Sequence, residues 1–245
     1  MTAQRRVGVL GGTFDPVHFG HLGAALAARQ TLSLDRVLLV PSAFPPHRPE
    51  APEASGPHRL AMVTLAIDGI DGLEASEMEL GRDGPSFTAT TLSALNAQGF
   101  DRRELHFVTG ADAFAEIATW HDYPAVLDLA HFVVIARTGH DLSDIRRRLP
   151  ELALRMRTLP GARGSTAADR DTGEAHALGE PGDPAIWLVE ATTPDVSSTQ
   201  IRDRIRGRLP LTGLVPPLVE RYIHRHGLYR PLQAVAGDGH EKTHA

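Results

Sequence analysis

The chain has 245 residues, 42% hydrophobic and 22% charged, enough to bury a real core in one soluble domain or at most two small ones. Its net charge of −5 at pH 7 disfavours nonspecific nucleic-acid binding, and its lack of cysteine removes disulfides, thiolate nucleophiles and Cys-ligated zinc. A single lysine, Lys242, excludes a Walker A loop and a lysine nucleophile, so phosphate chemistry must rest on Arg, His and backbone N–H groups.

The start, Met1 to Arg6, is polar, and the apolar run Val7-Gly8-Val9-Leu10 is too short for a signal peptide. Nothing approaches the roughly 20 apolar residues a membrane helix needs, so a cytoplasmic protein with no membrane partner is expected. Val7 to Leu10 reads as a short buried strand broken by Gly11-Gly12, and Phe19 to Thr31 has helical spacing. Val37 to Val40 is a second strand ended by Pro41. Ala43 to Pro57 is a Pro- and Ala-rich loop, Arg59 to Ile70 a helix, Leu73 to Leu80 extended, and Phe87 to Ala97 helical. Leu105 to Val108, Phe132 to Ile135 and Ile186 to Val189 repeat the strand pattern, and Thr199 to Arg208 reads as a late helix.

Short apolar strands alternating with helices predict an α/β fold, a Rossmann-like, doubly wound parallel sheet covered on both faces. Ligands then bind beyond the carboxyl ends of the strands. Residues 1–230 are expected to form one domain, with 160–184 a mobile insertion and 231–245 a frayed polar tail.

The chemistry concentrates in Gly11-Gly12-Thr13-Phe14-Asp15-Pro16-Val17-His18-Phe19-Gly20-His21-Leu22. A strand runs into two glycines and then into a helix start, where unpaired N–H groups and a partial positive charge favour phosphate. His18 and His21 share one face of the first turn, and Gly20 leaves space between them. A His-x-x-His pair also suits a metal, but no third ligand is evident, and no protein-held metal is expected. A second segment, Ser197-Ser198-Thr199-Gln200-Ile201-Arg202, follows the late strand. Ser197 and Gln200 there fit a helix capping box.

The quartet His18-Phe19-Gly20-His21 resembles the signature of the His-x-Gly-His nucleotidyltransferase superfamily, and Ser197-Ser198-Thr199-Gln200-Ile201-Arg202 is similar to its second signature. Pro45-Pro46-His47-Arg48, Pro85-Ser86-Phe87-Thr88, Gly110-Ala111-Asp112 with Trp120-His121, and Ala136-Arg137-Thr138-Gly139 resemble segments of the bacterial nicotinate mononucleotide adenylyltransferases. The match departs from the usual pattern at Arg48, Phe87 and Thr138, and the usual pattern lacks the 160–184 stretch.

The resemblance implies a nucleotidyltransferase fold and transfer of the adenylyl group of ATP to nicotinate mononucleotide, with release of pyrophosphate, in NAD biosynthesis. It implies catalytic roles for His18, His21 and Arg202. ATP would contact Gly11, Gly12, Thr13, Phe14, Gly20, Gly110 and Asp112, with Ser197, Ser198, Thr199 and Arg202 on its β- and γ-phosphates. The acceptor would meet Asp15, His47, Arg48, Thr88 and Arg137, with Trp120 stacked on the pyridine ring. Mg²⁺ would accompany ATP. A homo-oligomer is compatible with the sequence. Nicotinamide mononucleotide or phosphopantetheine as acceptor, or a non-catalytic nucleotide sensor, remain as alternatives.

Overall fold

The computed structural model describes residues 5–45, 50–137, 142–159 and 183–231. Seven strands join in one sheet: β1 (Val7–Gly12), β2 (Arg36–Pro41), β3 (Leu73–Ala75), β4 (Leu105–Gly110), β5 (His131–Arg137), β6 (Met156–Leu159) and β7 (Ile186–Ala191). Their order is β3-β2-β1-β4-β5-β7-β6, and every neighbouring pair is parallel. The connections run outward in opposite directions from β1 and β4. The carboxyl ends of these two strands therefore flank a crevice, the switch point at which such sheets bind ligands.

Side chains alternate across the sheet with a period of two and build two cores. Val7, Val9, Leu105, Phe107, Phe132 and Val134 face one side, where Ala89, Leu92 and Leu95 of α3 (Thr88–Ala97) pack. Leu10, Val108, Val133, Ile135 and Val189 face the other. Helix α1 (Phe19–Thr31) covers that second face through Leu22, Ala25 and Ala28, and the two small alanines let it lie close to β1, β4, β5 and β7. Helices α2 (Gly56–Ala66), α6 (Ser198–Arg206) and α7 (Pro217–His226) complete this layer. A short helix α4 (Ala111–Phe114) follows β4, and α5 (Leu142–Arg148) follows β5.

The expected strand Leu73 to Leu80 is only three residues long. Beyond Ala75 the chain turns through Glu79, with Leu80 N–H bonded to the Glu77 carbonyl. Strand β6 and helices α5 and α7 have no counterpart in the sequence reading. Strand β6 is an edge strand with one buried residue, Met156, so it shows no alternation. Helix α7 opens at Pro216-Pro217, which reads locally as a loop, although proline suits a first helical turn. Residues 160–182 of the expected insertion and 232–245 of the expected tail lie outside the described residues.

Candidate active site

The first half of the site grows from the end of β1. Phe14 sits at φ 50 and turns its ring back beneath the strand. A Cβ on Gly12 would stand 3.1 Å from Phe14 Cζ, so the glycine admits that ring. The Phe14 ring is 1% exposed and belongs to the core. It supports His21 edge-on, with ring centroids 4.9 Å apart, rather than meeting a ligand with its side chain.

His18 caps α1 in an extended conformation, and its N–H donates to His21 Nδ1 at 3.3 Å. Accepting at Nδ1 assigns neutral His21 the tautomer with its proton on Nε2, a donor suited to an oxyanion. The two imidazoles stack with centroids 3.7 Å apart and planes 23° apart. Gly20 makes the stack possible, because a Cβ there would stand 3.0 Å from His18 Cε1 and Nδ1 and 3.3 Å from the Pro194 carbonyl.

The second half is the start of α6, and it is bolted to the first. Ser198 Oγ donates to the Pro16 carbonyl at 2.9 Å, and an Arg202 N–H donates to the Asp15 carbonyl at 2.8 Å. Ser197 Oγ accepts the Gln200 N–H at 3.1 Å, the helix cap its sequence spacing suggests. Both serine hydroxyls thus have partners within the protein, and what this corner presents to an anion is the helix start and the guanidinium. Arg202 Nε lies 2.7 Å from Glu53 Oε1, an ion pair rather than an aligned hydrogen bond. The same Glu53 oxygen holds Arg206 at 2.6 Å, so Arg206 is not a purely solvated helix charge.

Asp15 anchors this junction. Its carboxylate is 2% exposed and accepts the N–H groups of Glu53 (2.8 Å) and Ala54 (3.0 Å) and the hydroxyl of Tyr229 (2.8 Å). Arg59, also 2% exposed, donates to the carbonyls of Thr13 (2.7 Å) and Ala54 (3.1 Å). Burial lowers the Arg59 pKa, and the nearby Asp15 carboxylate opposes that shift. Asp15, expected from the sequence to meet the acceptor, has its carboxylate buried among these donors. Its oxygens are taken up inside the protein, and it does not line the pocket described next.

That pocket opens in the crevice between β1 and β4. Gly11, Gly12 and Thr13 form one wall, and Thr109 and Ala113 another. Phe107 and Trp120 make its aromatic floor, edge to face with centroids 6.0 Å apart. Phe87 and His121 stack beside it at 4.1 Å and 20°. Thr88, the first residue of α3, also lines the pocket. Ser86 does not cap α3. Its Oγ accepts the N–H groups of Ala43 (2.9 Å) and Phe44 (3.4 Å), joining the loop after β2 to the loop before α3. Glu79 is buried at the pocket wall, where the Thr91 hydroxyl donates to it at 2.5 Å and Arg82 lies 3.9 Å away.

A family model described as cytidylyltransferase-like matches residues 9–204. The chain belongs to the cytidylyltransferase-like family, on its nicotinate-nucleotide adenylyltransferase branch. As a member it is a nucleotidyltransferase enzyme. Its relatives include two proteins named "Probable nicotinate-nucleotide adenylyltransferase". The one from Desulfatibacillum aliphaticivorans is 40% identical over 232 residues, covering 91% of this chain and 99% of the relative. The one from Pseudomonas syringae pv. tomato is 40% identical over 229 residues, covering 94% and 96%. The fold resembles that of Plasmodium falciparum nicotinic acid mononucleotide adenylyltransferase complexed with APC, with a TM-score of 0.63, 14% identity and coverage of 92% of this chain and 97% of that one. The same enzyme complexed with NaAD gives a TM-score of 0.62.

Within this nucleotidyltransferase fold, His18 and His21 stack at the start of α1, Arg202 donates to the Asp15 carbonyl, and Gly11, Gly12 and Thr13 line the pocket that also holds Thr88 and Trp120. Gly110 caps α4 and Asp112 sits exposed in its first turn, neither among the pocket-lining residues. His47, Arg48, Thr138 and the side chain of Arg137 lie outside the described residues. Sequence reasoning missed Glu53, Arg59, Glu79 and Tyr229. Only Glu79 left a local trace, an acidic residue three positions before Arg82. No described helix is long and apolar enough to cross a membrane.

Proposed function

We propose that this enzyme transfers the adenylyl group of ATP to nicotinate mononucleotide, giving nicotinate adenine dinucleotide and pyrophosphate, and that it works in the cytoplasm. One observation carries the reading. Arg202 and Ser198 are bonded to the segment Asp15-Pro16, which lies in the chain between Thr13 of the aromatic pocket and the stacked His18–His21 pair.

The reaction needs two anions aligned. A phosphate oxygen of the mononucleotide attacks the α-phosphorus of ATP, and the bond from that phosphorus to the pyrophosphate oxygen breaks. A phosphate monoester has its second pKa near about 6, so the nucleophile is already ionised at neutral pH and no strong general base is required. Catalysis then consists of positioning and charge stabilisation. His21 Nε2–H is our donor to the α-phosphate oxygens, with His18 stacked beside it. Arg202 and the α6 start hold the leaving pyrophosphate, where a guanidinium offers the bidentate contact a lysine cannot.

The pyridine ring of the acceptor is a flat cation, which suits the face of Trp120. Its carboxylate would meet the start of α3 at Thr88. Gly110 and Asp112 remain our candidates for the ATP ribose and adenine side, and His47, Arg48 and Arg137 for the acceptor phosphate. The α6 start and Arg202 present donors, which suit phosphate rather than a cation. A divalent ion, Mg²⁺ in this reading, would therefore be held by the triphosphate itself and water, and it would supply charge neutralisation there.

The test is pyrophosphate release from ATP, Mg²⁺ and nicotinate mononucleotide, repeated with His21→Ala. Losing one donor at a developing oxyanion costs roughly 100- to 1000-fold in turnover. A folded His21→Ala protein with wild-type turnover would remove the histidine from this role.

A further inference from the structure

Residues that act on the phosphates belong to segments far apart in the chain, and something must hold them in register. The junction at Asp15 does this with one member from the far end of the described chain. Tyr229 lies 214 residues beyond Asp15 and places its hydroxyl 2.8 Å from Asp15 Oδ1. Its ring is 6% exposed and packs in the core beneath α1 and α7. Gly227, at φ 63, ends α7 and turns the chain inward, and Tyr229 itself is held at φ 62, a conformation non-glycine residues seldom adopt. A side chain held inward from such a backbone is set by its surroundings.

We infer that Tyr229 is a positioning residue for adenylyl transfer, acting through Asp15 on Arg202. The inference rests on the reading of Arg202 as a phosphate ligand. The chain of contacts is short. The Tyr229 hydroxyl and the Ala54 N–H share Asp15 Oδ1, the Glu53 N–H takes Oδ2, and the Asp15 carbonyl receives Arg202. Glu53, whose main chain is fixed by Asp15, also returns its carboxylate to Arg202 Nε. The guanidinium is thus located on two sides by groups that Asp15 orients. The next residue, Pro16, accepts Ser198, so the same segment sets the start of α6.

The hydroxyl is the part of Tyr229 that matters here, because phenylalanine would fill the same core volume. Burial and the Asp15 charge both raise the Tyr229 pKa, so the group stays a donor throughout the working pH range. Arg59 flanks the carboxylate as a counter-charge, and its hydrogen bonds go to the carbonyls of Thr13 and Ala54. Tyr229 is therefore the side-chain donor to Asp15 among these contacts.

The experiment is a thermodynamic cycle on the full chain: wild type, Tyr229→Phe, Arg202→Ala and the double variant. Affinity for ATP is measured by calorimetry, alongside kcat, KM for nicotinate mononucleotide and the melting midpoint. A displacement of well under 1 Å at a phosphate ligand is enough for about a tenfold effect. Tyr229→Phe should weaken ATP binding and lower kcat by about that factor, with acceptor KM unchanged. In the Arg202→Ala background the same substitution should change ATP affinity less than twofold. Wild-type ATP affinity in a Tyr229→Phe protein with a lowered melting midpoint would show a merely structural residue and overturn the inference. So would a tenfold loss that persists in full without Arg202. A wild-type chain that binds ATP and never releases pyrophosphate would end the functional reading, while the cycle in ATP affinity would still decide the role of Tyr229.

Discussion

Gly20→Ala separates activity from stability in one methyl group. Alanine is a better helix former than glycine by about 1 kcal/mol, and position 20 lies in the first turn of α1, so propensity alone favours the change. The new Cβ, however, would stand 3.0 Å from two atoms of the His18 ring and 3.3 Å from the Pro194 carbonyl. Ordinary carbon contacts lie near about 3.5–4.0 Å, so something must retreat by roughly 0.5 Å. The Pro194 carbonyl is backbone next to the α6 start, and the His18 ring is already stacked on His21 at 3.7 Å. The ring gives way most readily, at an off-rotamer cost of about 0.5–1.5 kcal/mol, which roughly cancels the propensity gain. Thermal melting should therefore stay close to wild type. Turnover should fall about tenfold, because a misplacement of about 1 Å at a reacting centre costs about 100-fold and this one is roughly half that. Circular dichroism melts and steady-state pyrophosphate release report the two quantities on one preparation. A stable Gly20→Ala protein within threefold of wild-type turnover would refute the claim that the stacked pair must keep its geometry.

Other substitutions probe other parts of the account. Asp15→Asn keeps the shape but sets an amide N–H₂ against at least one of three donors and removes the counter-charge of buried Arg59. Breaking a buried pair in this way costs about 3–5 kcal/mol, which for a chain of this size lowers Tm by roughly 6–20 °C; a shift under 2 °C in a thermal melt would contradict the anchoring role. Trp120→Ala should raise KM for the acceptor about tenfold while leaving KM for ATP unchanged, the loss expected of one aromatic–cation contact; equal changes in both would place the tryptophan elsewhere. At the other end of the sheet His106 and His131 stack at 4.8 Å, and burial pushes their pKa values down from 6.5 to about 3 and about 4. The unfolded chain takes up these protons first, so stability should be level above about pH 6.5 and fall progressively toward pH 4. Urea midpoints at pH 7 and pH 5 test this, and His106→Gln should flatten the slope.

Much of the site is legible in the sequence because its chemistry is local. His18 and His21 lie three apart on one helix turn, and the strand, glycines and helix that place them are consecutive. Ser197 and Gln200 announce the α6 start in the same way. What the sequence does not show is what depends on distant partners. Asp15 looks like a ligand-facing acid beside a phosphate loop, yet the groups that claim it lie 38, 39 and 214 residues away. Phe14 reads as part of the nucleotide contact, and only the left-handed turn at φ 50 tucks its ring beneath Gly12. Arg59 sits in a plain amphipathic helix, and nothing in its neighbourhood foretells that its guanidinium ends against Thr13. Edge strand β6 and proline-led α7 also escape. Strand β6 has one buried residue and no alternation, whereas the apolar stripe of α7, Val219 and Ile223, is masked by the prolines that open the helix.

The central claim concerns which phosphate attacks ATP. It is tested most directly by offering the purified protein ATP and Mg²⁺ with nicotinate mononucleotide, nicotinamide mononucleotide or phosphopantetheine, one at a time, and measuring pyrophosphate and the adenylylated product. A pocket built from Trp120, Phe107 and the Thr88 helix start predicts the highest kcat/KM with nicotinate mononucleotide and no turnover of phosphopantetheine, which has no ring to stack. Preferred turnover of phosphopantetheine, or ATP binding with no product from any of the three, would contradict it.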